Sequence, residues 1–170
     1  ASTEHWYNKL CKYLESHLGP LTKKVGNFEH CGIMHEQRPD TSIFTHQHHY
    51  VKERKTIDLT TYNGKPADTE LDTHTSSLYG SLVGALAWLL QVYIELAVYV
   101  HSLQRHLQKP CLEHAQRANR VVLWARKQKS GILFVHVPGP FRLLCVSDAA
   151  FRKEEPDGLA IRGALIMLCG

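Results

Sequence analysis

Paired cysteines are missing from this chain. It has five cysteines, an odd number, and no Cys-x-x-Cys pair. A disulfide framework or a zinc knuckle needs paired or closely spaced cysteines, so the sequence argues against both. The simplest interpretation is a set of reduced thiols in an intracellular protein. These cysteines are Cys11, Cys31, Cys111, Cys145 and Cys169.

The common glycine-rich and nucleophile motifs are missing too. The chain has no GxGxxG, no GxxxxGK[ST] and no GxSxG, and nothing marks a Ser-His-Asp or Cys-His arrangement. It begins "ASTEHWYNKL", without an initiator Met or a signal sequence, and stops within the apolar "GALIMLCG". We therefore expect a piece of a longer protein.

The composition is that of a globular protein. The 170 residues are 44% apolar and 21% charged, which suits one ordinary domain or two small ones. The net charge of +4 is mildly basic and compatible with a polyanionic partner. Twelve histidines are an unusually high number.

Three segments have the pattern of helices. Residues 2–18 carry one apolar stripe and stop at Gly19-Pro20. Residues 78–107 predict one long helix or two closely joined helices, and 111–131 predict another. Within the second segment, 82–100 approaches the length of a membrane span. Gln91 and Glu95 interrupt it, which favours a buried helix pair over a span.

Turn residues predict two β-hairpins. The first covers 27–47 and turns at "RPDT"; a short helix at 50–59 and a polar loop at 60–77 follow. The second pairs "ILFVHV" with "FRLLCVSD" across "PGP", and "LAIRGALIML" predicts a further strand.

Asp148 is the first candidate for chemistry. It follows the apolar strand "RLLCV" and precedes two small residues, a setting that suits a carboxylate ligand for Mg²⁺. A two-metal site needs three or four carboxylates, and only Glu154, Glu155 and Asp157 follow it. A strand-ending turn or a helix cap is the structural alternative.

Histidine and basic clusters are the other candidates. In "HQHHY", His46 and His48 would share one strand face as metal ligands, against the simpler interpretation of surface histidines. The third helix carries basic residues that can follow a phosphate backbone or form a solvated face. We expect its Trp124 in the core. These basic residues are Arg117, Arg120, Arg126, Lys127 and Lys129.

The order of segments resembles the Pol polyprotein of copia-type LTR retrotransposons over residues 20–170. That family has a Y-x-S-L-V-G-x-L-x-(Y/W)-L segment, a helix ending Q-(K/N)-P, a helix with His six residues before R-(V/I), and a strand bearing S-D-A. An upstream hairpin F-L-G-I…Q-x-x-Y-(I/V) is similar too. The matching residues are Gly32, Ile33, Gln47, Tyr50, Val51, Tyr79, Ser81, Leu82, Val83, Gly84, Leu86, Trp88, Leu89, Gln108, Lys109, Pro110, His114, Arg120, Val121, Ser147, Asp148 and Ala149.

This resemblance implies an α+β fold: a β-hairpin plus a helical thumb and connection, followed by the first strands of a truncated RNase H-like fold. Residues 1–75 would end the reverse transcriptase palm with its primer-positioning hairpin, 76–130 would be thumb and connection, and 131–170 would start RNase H. Asp148 would be the first metal-binding carboxylate of RNase H, which uses Mg²⁺ in the intact family.

The departures from the family pattern matter as well. No Y-V-D-D occurs, and 92–95 replaces the family's R-P-D turn, which allows a continuous helix. Ala150 and Phe151 stand where many relatives have Trp and Gly. One aspartate cannot run two-metal hydrolysis, so we expect this chain to bind no Mg²⁺ and to be inactive alone.

The resulting prediction is a fragment of an RNA-directed DNA polymerase and RNase H that contacts the template–primer duplex. Its partners would be an RNA–DNA hybrid or DNA duplex and the remainder of the polyprotein, in a cytoplasmic particle or the nucleus, with no membrane. The alternative is a non-enzymatic helical interaction or membrane-associated protein that docks through 78–107. A decayed genomic copy is a third possibility.

Overall fold

The computed structural model describes residues 3–151 and 160–169, with side chains except at 3, 148–151 and 160–162. Its helices and strands are mixed, which confirms the α+β class. They are α1 (Thr3–Leu18), β1 (Phe28–His30), β2 (Ile33–Gln37), β3 (Ile43–His46), α2 (His48–Glu53), α3 (Thr73–Leu89), α4 (Ala97–Gln104), α5 (Leu112–Lys127), β4 (Ile132–Phe134), β5 (Arg142–Phe151) and β6 (Ala160–Cys169), with 3-10 turns at Thr60–Tyr62 and Ile94–Leu96.

Helix α1 confirms the first predicted helix. It ends at Leu18, and the next residue, Gly19, has a φ of +86° that favours glycine and donates its N–H to the Glu15 carbonyl at 3.1 Å. Its apolar stripe is largely exposed, and Cys11 is its buried apolar residue. The amphipathic pattern therefore predicted the helix correctly, but its apolar stripe does not pack into the core of the described residues.

The core forms where α3, α4 and α5 pack together. Asp72 caps α3 by accepting from the Thr75 N–H at 2.8 Å. Small residues of α5, including Ala115 and Ala118, let this helix approach its neighbours closely. The fully buried members of this core are Tyr79, Leu86, Tyr93, Val100, Ala115, Ala118 and Ala125.

The helical region 78–107 is two helices, one of the two arrangements that the sequence predicts. The change at 92–95 does not give a continuous helix. The carbonyl of Leu89 accepts from the N–H groups of both Val92 (3.0 Å) and Tyr93 (2.8 Å), which ends the α-helical pattern without proline. The break buries Val92, Tyr93 and Leu96 in the core, and this burial holds it in place.

The first predicted hairpin is confirmed as β2 and β3. Arg38 donates its N–H to the Ser42 carbonyl at 2.9 Å and closes the turn. A tighter hairpin precedes it, because β1 pairs with β2 across Cys31 and Gly32. Both turn residues have positive φ, at +50° and +76°, as two-residue hairpin turns require. The short helix predicted at 50–59 is α2, which begins and ends earlier.

The second predicted hairpin is wrong. β4 pairs antiparallel with β3, with Thr45 opposite Ile132, and completes a sheet of order β1-β2-β3-β4. β5 pairs instead with β6, the further strand that the sequence predicts. Pro138 and Pro140 lack an N–H for a ladder, and the chain between β4 and β5 forms no strand. The predicted domain boundaries at 75 and 130 stay a prediction. Strand β4 belongs to the predicted third domain, but it pairs with β3 of the predicted first domain.

Candidate nucleic-acid interface

Three cationic side chains share one exposed stripe of α5. Arg117 and Arg120 are three residues apart, and Lys127 follows Arg120 after two helical turns, so all three lie on one side of the helix. The opposite side carries the buried alanines, which fixes the orientation of α5 in the core. The buried stripe therefore forces these three cations outward.

The other two predicted cations do not join this stripe. The guanidinium of Arg126 donates a hydrogen bond to the carbonyl oxygen of Arg54, just after α2. Lys129 lies beyond the last residue of α5. The five basic residues of the prediction thus separate into three on the stripe, one that holds α2, and one in the following loop.

A groove of about 660 Å³ runs between α4 and α5. Two exposed aromatic rings, Tyr99 and Trp124, form part of its wall, and Trp124 keeps 42% of its surface exposed. The prediction that Trp124 lies in the core is therefore wrong, because its helical position matches Arg117 and Arg120 rather than the alanines. The groove is lined by Glu95, Leu96, Tyr99, Ser102, Leu103, Arg117, Arg120, Val121 and Trp124.

The charges of the groove are unevenly placed. Arg117 binds the carboxylate of Glu113 at 2.7 Å on its own helix, while Arg120 has no ion pair among the described residues. Glu95 accepts a hydrogen bond at 2.5 Å from the hydroxyl of Ser130, which follows the C-terminal end of α5. The groove thus has two guanidinium groups towards one end and a single oriented carboxylate at the other.

Tyr99 and Glu95 were not predicted as site residues. Their signal is present in the sequence, because Glu95, Tyr99 and Ser102 recur at helical spacing within a largely apolar run. Such spacing places the three on one side of the 3-10 turn and α4 that follow the break. A search for polar and aromatic residues at that spacing would have found them.

Cys111 and His114 form the cap of α5. The Cys111 Sγ lies 3.2 Å from His114 Nδ1, which also accepts the Cys111 N–H at 3.0 Å. The ring of His106 stacks on that of His114 with centroids 3.8 Å apart. Burial, followed by the charge of His106, lowers the pKa of His114, so this ring is a neutral acceptor near pH 7.

Asp148 lies within β5, not at its end. The strand continues to Phe151, and Asp148 faces Gly163 in register on β6. The predicted strand end after "LLCV" is therefore wrong, because the small residues that follow extend the ladder. The Asp148 side chain and the acidic run at Glu154, Glu155 and Asp157 lie outside the described residues.

Within the described ranges, no three His, Cys, Asp or Glu side chains are arranged to hold a metal ion. Of the residues opposite and diagonal to Asp148 on β6, namely Ile161, Gly163 and Leu165, none is acidic. These neighbours on β6 supply no second carboxylate beside Asp148, and the function proposed below uses no metal-dependent step.

His46 and His48 do not share a strand face as predicted. His46 ends β3, while His48 begins α2, and their rings stack with centroids 4.0 Å apart. His46 Nε2 lies 3.1 Å from a Glu36 carboxylate oxygen, and His48 Nε2 lies 3.1 Å from the Ser130 carbonyl. These contacts join the sheet, α2 and the segment before β4, which is a structural role.

Comparisons with protein-family models, curated proteins and solved structures find no match to this chain. Among the described helices, none has both the length and the apolar character that crossing a bilayer requires.

Proposed function

We propose that this chain binds a nucleic-acid duplex, an RNA–DNA hybrid or DNA, as part of a reverse transcriptase and RNase H polyprotein of the copia type. The observation that carries the proposal is the exposed stripe of Arg117, Arg120 and Lys127 on α5. The order of sequence motifs supports the family assignment. In this proposal β5 and β6 begin an RNase H-like fold, and Asp148 belongs to its carboxylate set.

The geometry of the stripe suits a phosphate backbone. Ten residues separate Arg117 from Lys127, which is about 15 Å along a helix axis. One strand of a duplex presents a phosphate about every 3.4 Å of axis, so the stripe runs alongside about four phosphates. Arginine adds a planar pair of donors that binds two phosphate oxygens together. The contacts are to the backbone, so we expect little sequence preference.

The test is affinity as a function of salt concentration. We expect fluorescence anisotropy with a labelled RNA–DNA hybrid to show affinity falling about 40-fold between about 50 and 200 mM salt, as three phosphate contacts require. Arg120→Gln should weaken binding and reduce the salt slope by about one. The matched control is Lys12→Gln on α1, which removes the same charge from another helix. Salt-independent affinity, or equal loss in both variants, would overturn the proposal.

The alternative function is a helical interaction protein without enzymatic activity. Val98, on α4, is 76% exposed beside Tyr99, so part of 78–107 offers an apolar surface although most of the segment is buried. This alternative predicts concentration-dependent self-association or partner binding that Val98→Ser removes, measured by sedimentation. Unchanged hybrid binding in Val98→Ser together with a monomeric wild-type chain would favour duplex binding.

A further inference from the structure

We propose that the groove between α4 and α5 holds an unpaired base of a single-stranded nucleic acid. The base stacks on Trp124 and Tyr99, and its phosphates bind Arg117 and Arg120. The inference rests on the proposed function, because it deepens nucleic-acid binding at the same stripe and names the form of nucleic acid that the groove takes.

The two aromatic rings provide the stacking surface. Tyr99 on α4 is 60% exposed and Trp124 on α5 is 42% exposed, although aromatic rings of this size bury readily in a helical core. Both line the groove, one from each wall. Aromatic rings beside cationic groups are the arrangement by which single-strand binding proteins hold bases without sequence readout. A base pair within a duplex presents no free face to them.

The cations and the ring alternate on one helix. Trp124 follows Arg120 by four residues and Arg117 by seven, so the three share one side of α5. Arg117 and Trp124 are then about 10 Å apart along the helix axis. This spacing puts a phosphate at the arginine end while its base reaches the ring. Arg120, which lacks an ion pair in the described ranges, has its guanidinium open to that phosphate.

Glu95 gives the groove a direction. Its carboxylate repels a phosphate, so the backbone belongs at the Arg117 end and the base at the Glu95 end. The Ser130 hydroxyl occupies one carboxylate oxygen at 2.5 Å and orients the group. A carboxylate accepts from the amino groups of cytosine and adenine, whereas thymine presents the acceptor O4 at that position. We therefore expect cytosine or adenine to bind more tightly than thymine.

The experiment compares oligo(dC), oligo(dT) and an abasic oligomer of equal length with the RNA–DNA hybrid, using the full 170-residue chain. We expect oligo(dC) to bind about tenfold more tightly than the abasic oligomer, because stacking strengthens binding. Trp124→Ala and Tyr99→Ala should each reduce that difference, and Trp124→Phe should retain it. Lys12→Gln on α1, outside the groove, should change neither that difference nor the hybrid affinity. Circular dichroism checks that each variant folds.

The possible outcomes separate the two proposals. Salt-dependent hybrid binding with equal affinity for oligo(dC) and the abasic oligomer overturns the groove and leaves the duplex function standing. A Trp124-dependent preference for oligo(dC) without hybrid binding supports the groove and overturns the duplex function. Absence of binding to every probe overturns both. Glu95→Ala should abolish the preference for oligo(dC) over oligo(dT); a preserved preference contradicts the assigned direction of the base.

Discussion

Gly131 lies directly against the ring of Phe44. A Cβ atom at Gly131 would stand 2.3 Å from Phe44 Cζ and 2.7 Å from the Thr45 carbonyl oxygen. The Thr45 carbonyl belongs to the backbone of β3, so it cannot turn away from an added methyl as a side chain could. Only glycine therefore allows the chain to pass this close to β3 on its way from α5 into β4.

Gly131→Ala should destabilise the protein by about 1–3 kcal/mol, the usual cost of overpacking. Urea unfolding measures the change. The matched control is Gly84→Ala, in the exposed interior of α3, where open space surrounds the added methyl. That variant should gain about 0.5–1 kcal/mol from helix propensity. A tolerated Gly131→Ala would contradict the close packing of β4 on β3.

Asn119→Ala should destabilise the protein by about 2 kcal/mol. The Asn119 side chain accepts from the buried Ile57 N–H at 2.8 Å and donates to the Ile57 carbonyl at 2.9 Å. Its removal leaves two buried backbone groups without partners, and each costs about 1 kcal/mol or more. Chemical denaturation measures the loss, with Gln116→Ala on the exposed side of α5 as control. Equal stabilities would show that water replaces the amide.

Tyr79→Phe and Tyr93→Phe form a matched pair. Both rings are fully buried, but the Tyr79 hydroxyl donates to the Leu103 carbonyl at 2.7 Å, whereas the Tyr93 hydroxyl has no partner among the described residues. Tyr79→Phe should lose about 1 kcal/mol of stability, and Tyr93→Phe should be neutral or stabilising. Thermal melts of the two variants, compared under one condition, test this order. The reverse order would refute it.

Stability should fall at alkaline pH. Burial raises the pKa of Tyr79 to about 12, and burial followed by the nearby Glu95 carboxylate raises the pKa of Tyr93. A raised pKa adds stability that is complete below the ordinary value of about 10 and is lost as pH rises towards about 12. The Tyr79 contribution is roughly 2 kcal/mol. Urea titrations across this range should show a shallower fall in Tyr79→Phe than in the wild type.

Helix positions were predictable from the sequence because their signals are local. Gly19-Pro20 directly follows α1, and the alanine stripe of α5 reports its buried side. Lys109-Pro110 gave the end of α4 less well, because α4 already ends at Gln104. The same alanine stripe also predicts that Trp124 lies outside the core, because Trp124 is on the side of α5 that carries Arg117 and Arg120. The prediction that Trp124 is buried was wrong because it relied on the residue type and not on this helical spacing.

Strand pairing was not predictable in the same way. "PGP" between two apolar strands is a local hairpin signal, but the partner of β4 is decided by Gly131, which lets the chain approach Phe44. That approach depends on where α5 ends in space. The groove was equally hard to predict, because Glu95 and Tyr99 line it together with Arg120 only after the chain breaks between α3 and α4.

The pairing of Thr45 with Ile132 has a kinetic consequence. These residues are 87 positions apart, and four helices lie between them. Closing so long a loop is entropically unfavourable until the helices have condensed, so the fourth strand should add late in folding. Until it does, β3 exposes a row of unsatisfied amides at the sheet margin. We therefore expect the helices to pack first and to bring β4 to β3, so that the four-stranded sheet is completed last.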